Sequence, residues 1–165
     1  MTIAPVGAAE IDVVQALANH VWRSHYPGIL SPAQIDYMLE RGYSRDALLR
    51  YVDATDAGLA LARVDDEPVA FVAWQKSAAD SMKLEKLYVA PAHHGKGVGR
   101  ALIERVVDAA RRAGCREVTL NVNRHNGSSI RAYERCGFVI RESGDFPIGN
   151  GFVMEDYIMV RALEP

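Results

Sequence analysis

An apolar strand pattern runs through a glycine-rich turn into an amphipathic helix in the stretch Leu84-Glu85-Lys86-Leu87-Tyr88-Val89-Ala90-Pro91-Ala92-His93-His94-Gly95-Lys96-Gly97-Val98-Gly99-Arg100-Ala101-Leu102-Ile103. Three glycines at alternate positions let the backbone approach a ligand with no Cβ in the way. The free N–H groups of the turn and of the first helical turn favour an anion, phosphate above all, because the helix N-terminus also carries partial positive charge. The stretch therefore predicts a phosphate-binding turn.

The glycine spacing excludes two common phosphate loops. A dinucleotide-binding loop needs G-x-G-x-x-G and a P-loop needs G-x-x-x-x-G-K-[ST], whereas this turn has G-x-G-x-G. An ATP-binding protein using the same turn would place a Mg²⁺-ligating Ser, Thr or Asp after it, and Arg100 and Ala101 stand there instead.

A second informative segment lies downstream of the turn: Asn126-Gly127-Ser128-Ser129-Ile130-Arg131-Ala132-Tyr133-Glu134-Arg135-Cys136-Gly137-Phe138. The turn and this segment together resemble the GNAT superfamily of acyl-CoA N-acyltransferases. The family's pyrophosphate loop, usually R/Q-x-x-G-x-G/A, falls on His94-Gly95-Lys96-Gly97-Val98-Gly99, with His94 where Arg or Gln is usual. The motifs cover about Lys83 to Leu163, and the N-terminal half matches by element order.

The resemblance implies an α/β fold with a mixed, mostly antiparallel sheet flanked by helices. In this fold the sheet splays open between its fourth and fifth strands, where the acyl-CoA enters. Those strands are Met82–Val89 and Glu117–Val122 in this sequence.

Hydrophobic periods along the chain alternate between helix and strand without a linker or repeat. Asp65-Asp66-Glu67-Pro68 predicts the turn of a hairpin, and the helices before the glycine turn are expected to frame a substrate pocket. The predicted strands are Thr2–Pro5, Gly58–Val64, Val69–Gln75, Met82–Val89, Glu117–Val122, Phe138–Arg141 and Val153–Val160; the predicted helices are Ala8–His25, Ser31 to about Arg41, Ser44 to about Val52, Val98–Ala113 and Ser128–Arg135.

Composition favours one small enzyme domain over residues 1–165. The 165 residues are 49% hydrophobic, enough to build one core. The net charge of −2 does not favour binding to nucleic acid or to an anionic membrane. No apolar run reaches the roughly 18 residues of a membrane span, and no signal peptide is apparent. Cys115 and Cys136 lack the spacing of a disulfide framework or a zinc site, so we expect free thiols and a cytoplasmic location.

The implied acetyl transfer requires a base that removes a proton from the attacking amine. An alkyl amine with a pKa near 10.4 is only about one part in a thousand neutral at pH 7, so a group must remove its proton. Glu85 is the candidate, acting directly or through water, and a regular strand would place it on the same face as Leu87 and Val89. The alternative is a strand glutamate paired with Lys83 or Lys86. Other candidate bases are Asp156, Glu155 and His25.

The departing thiolate needs a proton donor, because a free thiol has a pKa near 8.5. Tyr133 matches the family tyrosine usually assigned this task. The alternative is a tyrosine that packs one face of a short helix with Ile130.

The resemblance also implies the cofactor-binding residues. The backbone amide of Val89 contacts the thioester or pantetheine, and Asn126 bonds the pantetheine arm, although Asn-Gly is also an ordinary turn. Lys96 and Arg100 are candidates for the phosphates of coenzyme A, and Arg131 for its 3′-phosphate. His93 and His94 have no partner at metal-ligand spacing, so no metal is expected. The full cofactor-binding set is Leu87, Tyr88, Val89, His94, Gly95, Lys96, Gly97, Val98, Gly99, Arg100 and Asn126.

The sequence thus predicts an N-acetyltransferase that moves the acetyl group of acetyl-CoA directly to a primary amine of a small molecule. Polyamines come first, because Tyr26–Leu30, Ile35–Met38 and Asp145–Met159 resemble the bacterial polyamine acetyltransferase branch. A polycation would want an acidic pocket, for which the sequence offers Glu10, Asp12, Asp36, Glu40, Glu85, Glu155 and Asp156.

Other functions stay open at this point. The acceptor alternatives are a protein or peptide amine, an antibiotic amine and an amino acid. A non-catalytic acyl-CoA sensor would keep the glycine turn without the proton-transfer groups. The family also implies pairing of two copies through C-terminal strands.

Overall fold

The computed structural model describes residues 1–164. Its strands are β1 (Thr2–Pro5), β2 (Ala57–Val64), β3 (Glu67–Ala78), β4 (Ser81–Val89), β5 (Glu117–Asn123), β6 (Val139–Gly149) and β7 (Phe152–Ala162). Its α-helices are α1 (Ile11–His25), α2 (Pro32–Tyr43), α3 (Arg45–Leu49), α4 (Val98–Arg112) and α5 (Gly127–Arg135), with short 3₁₀ turns at Ala8–Glu10 and Pro91–His93. Every predicted element is present, with small shifts at most ends.

The seven strands form one mixed sheet in the order β1-β2-β3-β4-β5-β7-β6. Only β4 and β5 run parallel, and they pair over Ser81–Leu84 and Glu117–Leu120. Beyond that, β4 continues to Val89 and β5 to Asn123 without pairing to each other. The predicted α/β fold with a sheet that opens between its fourth and fifth strands is confirmed.

Each face of the sheet has its own core. We call the side covered by α4 the α4 face; its buried residues include Leu102, Val106 and Leu120. The opposite side, covered by α1, α2 and α3, is the α1 face, where Trp22 and Phe71 are buried. A site at the opening between β4 and β5 therefore has packed helices on both sides.

Local sequence explains the helix starts and the first hairpin. The side chains of Ser31 and Ser44 accept hydrogen bonds from the backbone N–H groups of Gln34 (3.1 Å) and Ala47 (3.2 Å), which caps α2 and α3. Asp65 and Asp66 have φ angles of 50° and 66°, as a tight two-residue hairpin turn requires.

Strand β4 is not regular, which corrects one prediction. Lys86 pairs with Ala73 and Leu84 pairs with Trp74, so Glu85 is an extra residue in β4. This bulge shifts the alternation by one, and Leu84 and Leu87 both pack in the α4-face core. A regular strand would have placed Glu85 on the same face as Leu87. Because of the bulge, the two residues lie on opposite faces.

The C-terminal hairpin is longer than predicted. β6 extends to Gly149 rather than to Arg141, and the turn at Asn150 and Gly151 uses φ angles of 53° and 76°. Its tip packs against α2, where the Tyr37 hydroxyl donates a hydrogen bond to the Ile148 carbonyl at 2.8 Å. Because this contact is long-range in sequence, strand periodicity could not reveal it.

Within residues 1–164, none of the helices has the length and apolarity needed to cross a membrane.

Candidate active site

A cleft of about 820 Å³ lies at the opening between β4 and β5. It is lined by α1, α2, the end of β4 that does not pair with β5, the glycine turn, α5 and the β6–β7 hairpin. The cleft therefore brings together the glycine turn, Glu85, Tyr133 and Asn126, which are distant in sequence.

The glycine turn forms one end of the cleft. Gly95 and Gly97 have φ angles of 73° and 82°, where a residue with a Cβ is strained. The first hydrogen bond of α4 runs from the Ala101 N–H to the Gly97 carbonyl. The amides of Val98 and Gly99 thus have no partner within the helix, and both residues line the cleft. This arrangement fits a diphosphate.

The open edge of β4 offers further backbone groups. The Ala90 N–H bonds the Val69 carbonyl across β3 and β4 at 2.8 Å. Antiparallel pairs alternate between hydrogen-bonded and non-bonded positions, so the peptide groups of Leu87 and Val89 point away from β3 and into the opening. The side chains of Leu87 and Val89 pack on the α4 face, so any role in the cleft falls to the backbone.

His94 ties the glycine turn to β4. Its Nε2 lies 2.7 Å from the carbonyl oxygen of Val89. The imidazole donates this hydrogen bond when Nε2 carries the proton. The family pattern has Arg or Gln at this position, which are also N–H donors, so His94 keeps a donor there.

Two of the three predicted phosphate cations lie outside the cleft. Arg100 lines it, whereas the side chains of Lys96 and Arg131 are exposed and do not. Arg135, on α5, lines the cleft and was missed because nothing in its sequence context separates it from other surface arginines.

Tyr133 lines the cleft and also packs against the core. Its ring meets that of Phe138 edge to face at 5.7 Å between centroids, and burial raises the pKa of the phenol. A phenol with a raised pKa stays protonated through the neutral range and is available as a donor.

Asn126 caps a helix and holds a histidine. Its side-chain oxygen accepts hydrogen bonds from the Ser129 backbone N–H (3.4 Å) and lies 3.1 Å from Nε2 of His25. The cap begins α5 one residue earlier than predicted, at Gly127. Asn126 is buried and lines the cleft, and Asn126-Gly127 begins a helix rather than forming a separate turn.

Glu85 lies in the cleft wall on the α1 face. Its carboxylate is 3.8 Å from Nζ of Lys83, the contact expected under the alternative interpretation. Burial, and after it the Glu85 carboxylate, raise the pKa of Tyr51, a buried residue near α3.

Two tyrosines form the floor of the cleft on the α1 face. The hydroxyl groups of Tyr26 and Tyr88 are 3.2 Å apart, and burial raises the pKa of both. Tyr88 was predicted to bind the cofactor; its side chain packs in the α1-face core, beside the ring of Trp22.

Lys86, which the sequence analysis named only as a possible partner of Glu85, is an enclosed cation of the cleft. Its Nζ lies 4.4 Å from the centroid of the Tyr43 ring, and burial lowers its pKa to about 8. An alternating strand pattern gives no sign that this lysine is enclosed.

The end of the cleft away from the glycine turn combines apolar and acidic groups. The apolar side chains come from α2 and the β6–β7 hairpin: Met38, Phe146, Ile148 and Met154. Asp156 is the acidic group on β7, and it is only 6% exposed. The apolar wall was missed because it depends on the hairpin tip folding over α2.

The other carboxylates expected to form an acidic pocket lie elsewhere. Most sit in ion pairs: Glu10 with Arg63, Asp12 with Arg45, Asp36 with Arg23, and Glu155 with Arg124 and His125. Glu40 is exposed. Only Glu85 and Asp156 of the seven line the cleft.

Neither cysteine is in a disulfide: Cys115 is buried and Cys136 partly buried, and both are free. Among residues 1–164, no group of three His, Cys, Asp or Glu side chains is placed to hold a metal ion.

Residues 14–138 match the family described as acetyltransferase (GNAT) family. The chain belongs to the GNAT acetyltransferase family. The match spans α1 to α5, including the glycine turn and Tyr133, and makes this protein an N-acetyltransferase.

Similar proteins cover this GNAT chain almost end to end. An uncharacterised N-acetyltransferase of Mycobacterium tuberculosis is 28% identical over 154 residues, 93% of this chain and 98% of the relative. A spermidine N(1)-acetyltransferase of Thermoplasma acidophilum is 25% identical over 150 residues, 88% of this chain and 90% of the relative. The crystal structure of the PaiA N-acetyltransferase from Thermoplasma acidophilum in complex with coenzyme A has a TM-score of 0.85, 23% identity and 98% coverage of both chains.

Proposed function

We propose that this GNAT protein transfers the acetyl group of acetyl-CoA directly to the primary amine of a small molecule, and that residues 1–165 act as one catalytic domain. The observation that carries the proposal is the cleft itself. It combines unpaired amides of a glycine turn, an open strand edge and the partly buried Tyr133.

The donor would lie along the opening between β4 and β5. Its pyrophosphate would meet the amides of Val98 and Gly99, with Arg100 beside them. The peptide groups of Leu87 and Val89 would bond the pantetheine arm and polarise the thioester carbonyl. The coenzyme A bound to the structurally similar PaiA protein supports this choice of donor.

Two side chains would then move protons. Tyr133 donates its phenolic proton to the departing sulfur; because burial raises the pKa of the phenol, that proton is present at neutral pH. Glu85, at the bulge of β4, accepts a proton from the attacking nitrogen, directly or through water.

The acceptor would be a small primary amine. The 25% identical spermidine acetyltransferase supports the polyamine-like amine that the sequence favours. The charges of the cleft favour an acceptor with fewer positive charges than a polyamine, because the carboxylates of Glu85 and Asp156 share the cleft with the ammonium groups of Lys83 and Lys86. An amine with one ammonium group and an apolar body suits the wall formed by the β6–β7 hairpin.

Thiol release from acetyl-CoA across a panel of amines tests the proposal. The panel contains spermidine, spermine, n-butylamine, L-methionine, an aminoglycoside and a short peptide. We expect release with at least one small primary amine, and preference for spermidine over n-butylamine would support the polyamine acceptor. Binding of acetyl-CoA by calorimetry without release from any amine would favour a sensing module, and absence of binding would refute the assignment of the glycine turn.

Two further sequence predictions are proposed with this function. Free cysteines suit a reducing compartment such as the cytoplasm.

Pairing of two copies through C-terminal strands would use β6, an edge strand on which Val139 is 62% and Ile140 45% exposed. Sedimentation of the protein with and without Val139→Lys tests this pairing.

A further inference from the structure

Asp156 is a buried carboxylate with an unused oxygen. It is 6% exposed, and its Oδ2 accepts one long hydrogen bond, at 3.4 Å, from the side-chain amide of Asn121. Its Oδ1 is buried and has no hydrogen-bond partner in the described part of the chain. A buried unpaired carboxylate oxygen is costly, which indicates that the site is built for a ligand that satisfies it.

The position of Asp156 identifies which ligand this is. It pairs with Asn123 at the end of β5, where the sheet is open, and its side chain lines the cleft. Its neighbours along β7, Tyr157 and Met159, belong to the α4-face core. Strand alternation therefore puts Asp156 on the side of Tyr26 and the apolar wall.

We propose that Asp156 binds the ammonium group of the acceptor amine through its free oxygen and takes the first proton from it. This inference rests on the proposed acetyl transfer and adds the residue that recognises the acceptor. Within residues 1–164, no hydrogen-bond donor contacts the free oxygen, so an incoming N–H⁺ group has a vacant acceptor in a desolvated site.

Asp156 suits this role better than Glu85 or Glu155. Glu85 already has Lys83 at 3.8 Å, and the side chain of Glu155 is held by Arg124 at 3.2 Å and His125 at 3.1 Å. The third alternative base, His25, is bonded to Asn126 at 3.1 Å.

The charges around Asp156 come from three directions. Lys83 on β4 and Arg124 after β5 favour its ionised form, whereas the nearby phenol of Tyr26 on α1 is neutral at pH 7. Burial outweighs these cations and raises the pKa of Asp156. A raised pKa makes the carboxylate a stronger base towards an ammonium ion.

Protons balance if two groups accept them. The ammonium nitrogen gives its first proton to Asp156, and the freed lone pair forms the bond to the thioester carbon. The nitrogen gives its second proton to Glu85 or water as the carbon–sulfur bond breaks. Tyr133 supplies the proton that the sulfur takes, so one proton in total passes to solvent and the products are the amide and the free thiol.

Asp156→Asn is the direct test, and Glu155→Gln is the matched control one residue away on the other face of β7. With the best amine of the panel we expect Asp156→Asn to lower kcat/KM for the amine at least about 100-fold, within the usual range for a proton-transfer group. The Kd of acetyl-CoA should stay within about twofold, and Glu155→Gln should keep kcat/KM within about twofold. The fall of kcat/KM at acid pH should be lost in Asp156→Asn and kept in Glu155→Gln.

A binding measurement separates this inference from the proposed reaction. n-Butylammonium chloride is titrated into the protein saturated with coenzyme A, and the NMR shifts of the Asn121 and Asn123 amides are followed. We expect saturable shifts, with affinity at least about tenfold weaker in Asp156→Asn because a charge-assisted bond is lost.

Each result decides one of the two claims. Equal affinity in Asp156→Asn, absence of binding to the unaltered protein, or activity within threefold in the variant would each refute the role of Asp156 while leaving acetyl transfer intact. Ammonium binding that depends on Asp156, together with no thiol release from any amine, would refute the reaction and keep the site.

Discussion

The imidazole of His94 lies 2.7 Å from the carbonyl oxygen of Val89, so the glycine turn is fastened to the open end of β4. This bond joins two parts of the proposed donor site, the turn that would hold the pyrophosphate and the strand edge that would hold the pantetheine arm. Its geometry gives a function to the residue that departs from the family pattern.

Replacing His94 with Ala should loosen the turn and weaken acetyl-CoA binding. One hydrogen bond contributes about 0.5–1.5 kcal/mol, which corresponds to a Kd increase of up to about tenfold in calorimetry. His94→Gln keeps an N–H donor and should recover most of the affinity. Equal Kd values for the unaltered protein and His94→Ala would show that the bond does not order the turn.

Gly97→Ala should lower both stability and donor affinity, whereas Gly99→Ala should be tolerated. Gly97 has a φ of 82°, where a Cβ costs about 1–2 kcal/mol. A Cβ at Gly99 would be 3.6 Å from Cγ2 of Val89, an ordinary contact. Thermal unfolding should place the Tm of Gly97→Ala about 2–4 °C or more below that of Gly99→Ala. Equal Tm values for Gly97→Ala and Gly99→Ala would argue against backbone strain at the turn.

Tyr133→Phe should lower kcat by about 100-fold or more and leave the Kd of acetyl-CoA nearly unchanged, because only the donated proton is removed. The measurement is thiol release at saturating amine. Tyr157→Phe is the control, since Tyr157 packs on the α4 face away from the cleft.

The pH dependence gives a second check on Tyr133. Burial raises its pKa, so the phenol stays protonated as pH rises to about 10 and no alkaline loss of kcat below that pH should come from this group. An alkaline limb near pH 8 that disappears in Tyr133→Phe would contradict this.

Glu85→Gln tests the second proton acceptor. We expect kcat to fall about tenfold or more with little change in the KM of the amine, because the first proton and the ammonium group are assigned to Asp156. Glu67→Gln, at the exposed β2–β3 turn, is the control. A large rise in the amine KM with unchanged kcat would instead make Glu85 the ammonium-binding group.

Asp156→Asn should not destabilise the protein at pH 7. Burial raises the pKa of this carboxyl in the folded state, so folding becomes less favourable as pH rises from the unfolded value of about 3.9 through the folded one. Removing the charge should leave the Tm at pH 7 unchanged or higher, and the difference between variant and unaltered protein should shrink at pH 4. A Tm several degrees lower at pH 7 would indicate a structural role.

Local patterns predicted most of the fold because the interactions involved are short-range. Ser31 and Ser44 cap helices that begin at the next residue, and Asp65-Asp66 forms the tight turn that its composition indicates. The bulge at Glu85 escaped because one inserted residue leaves the apolar pattern of β4 nearly unchanged while it reverses the face of every residue beyond.

The sequence by itself determined the family, the order of the elements and the glycine turn, because glycine spacing, helix caps and hydrophobic period act within a few residues of one another. Only the tertiary structure decided which carboxylates are paired with arginines and which line the cleft. Glu10, Asp12 and Asp36 are taken up by arginines, while Asp156 is buried with a free oxygen at the opening of the sheet. Burial and pairing depend on contacts between residues far apart in the chain, and no local pattern encodes them.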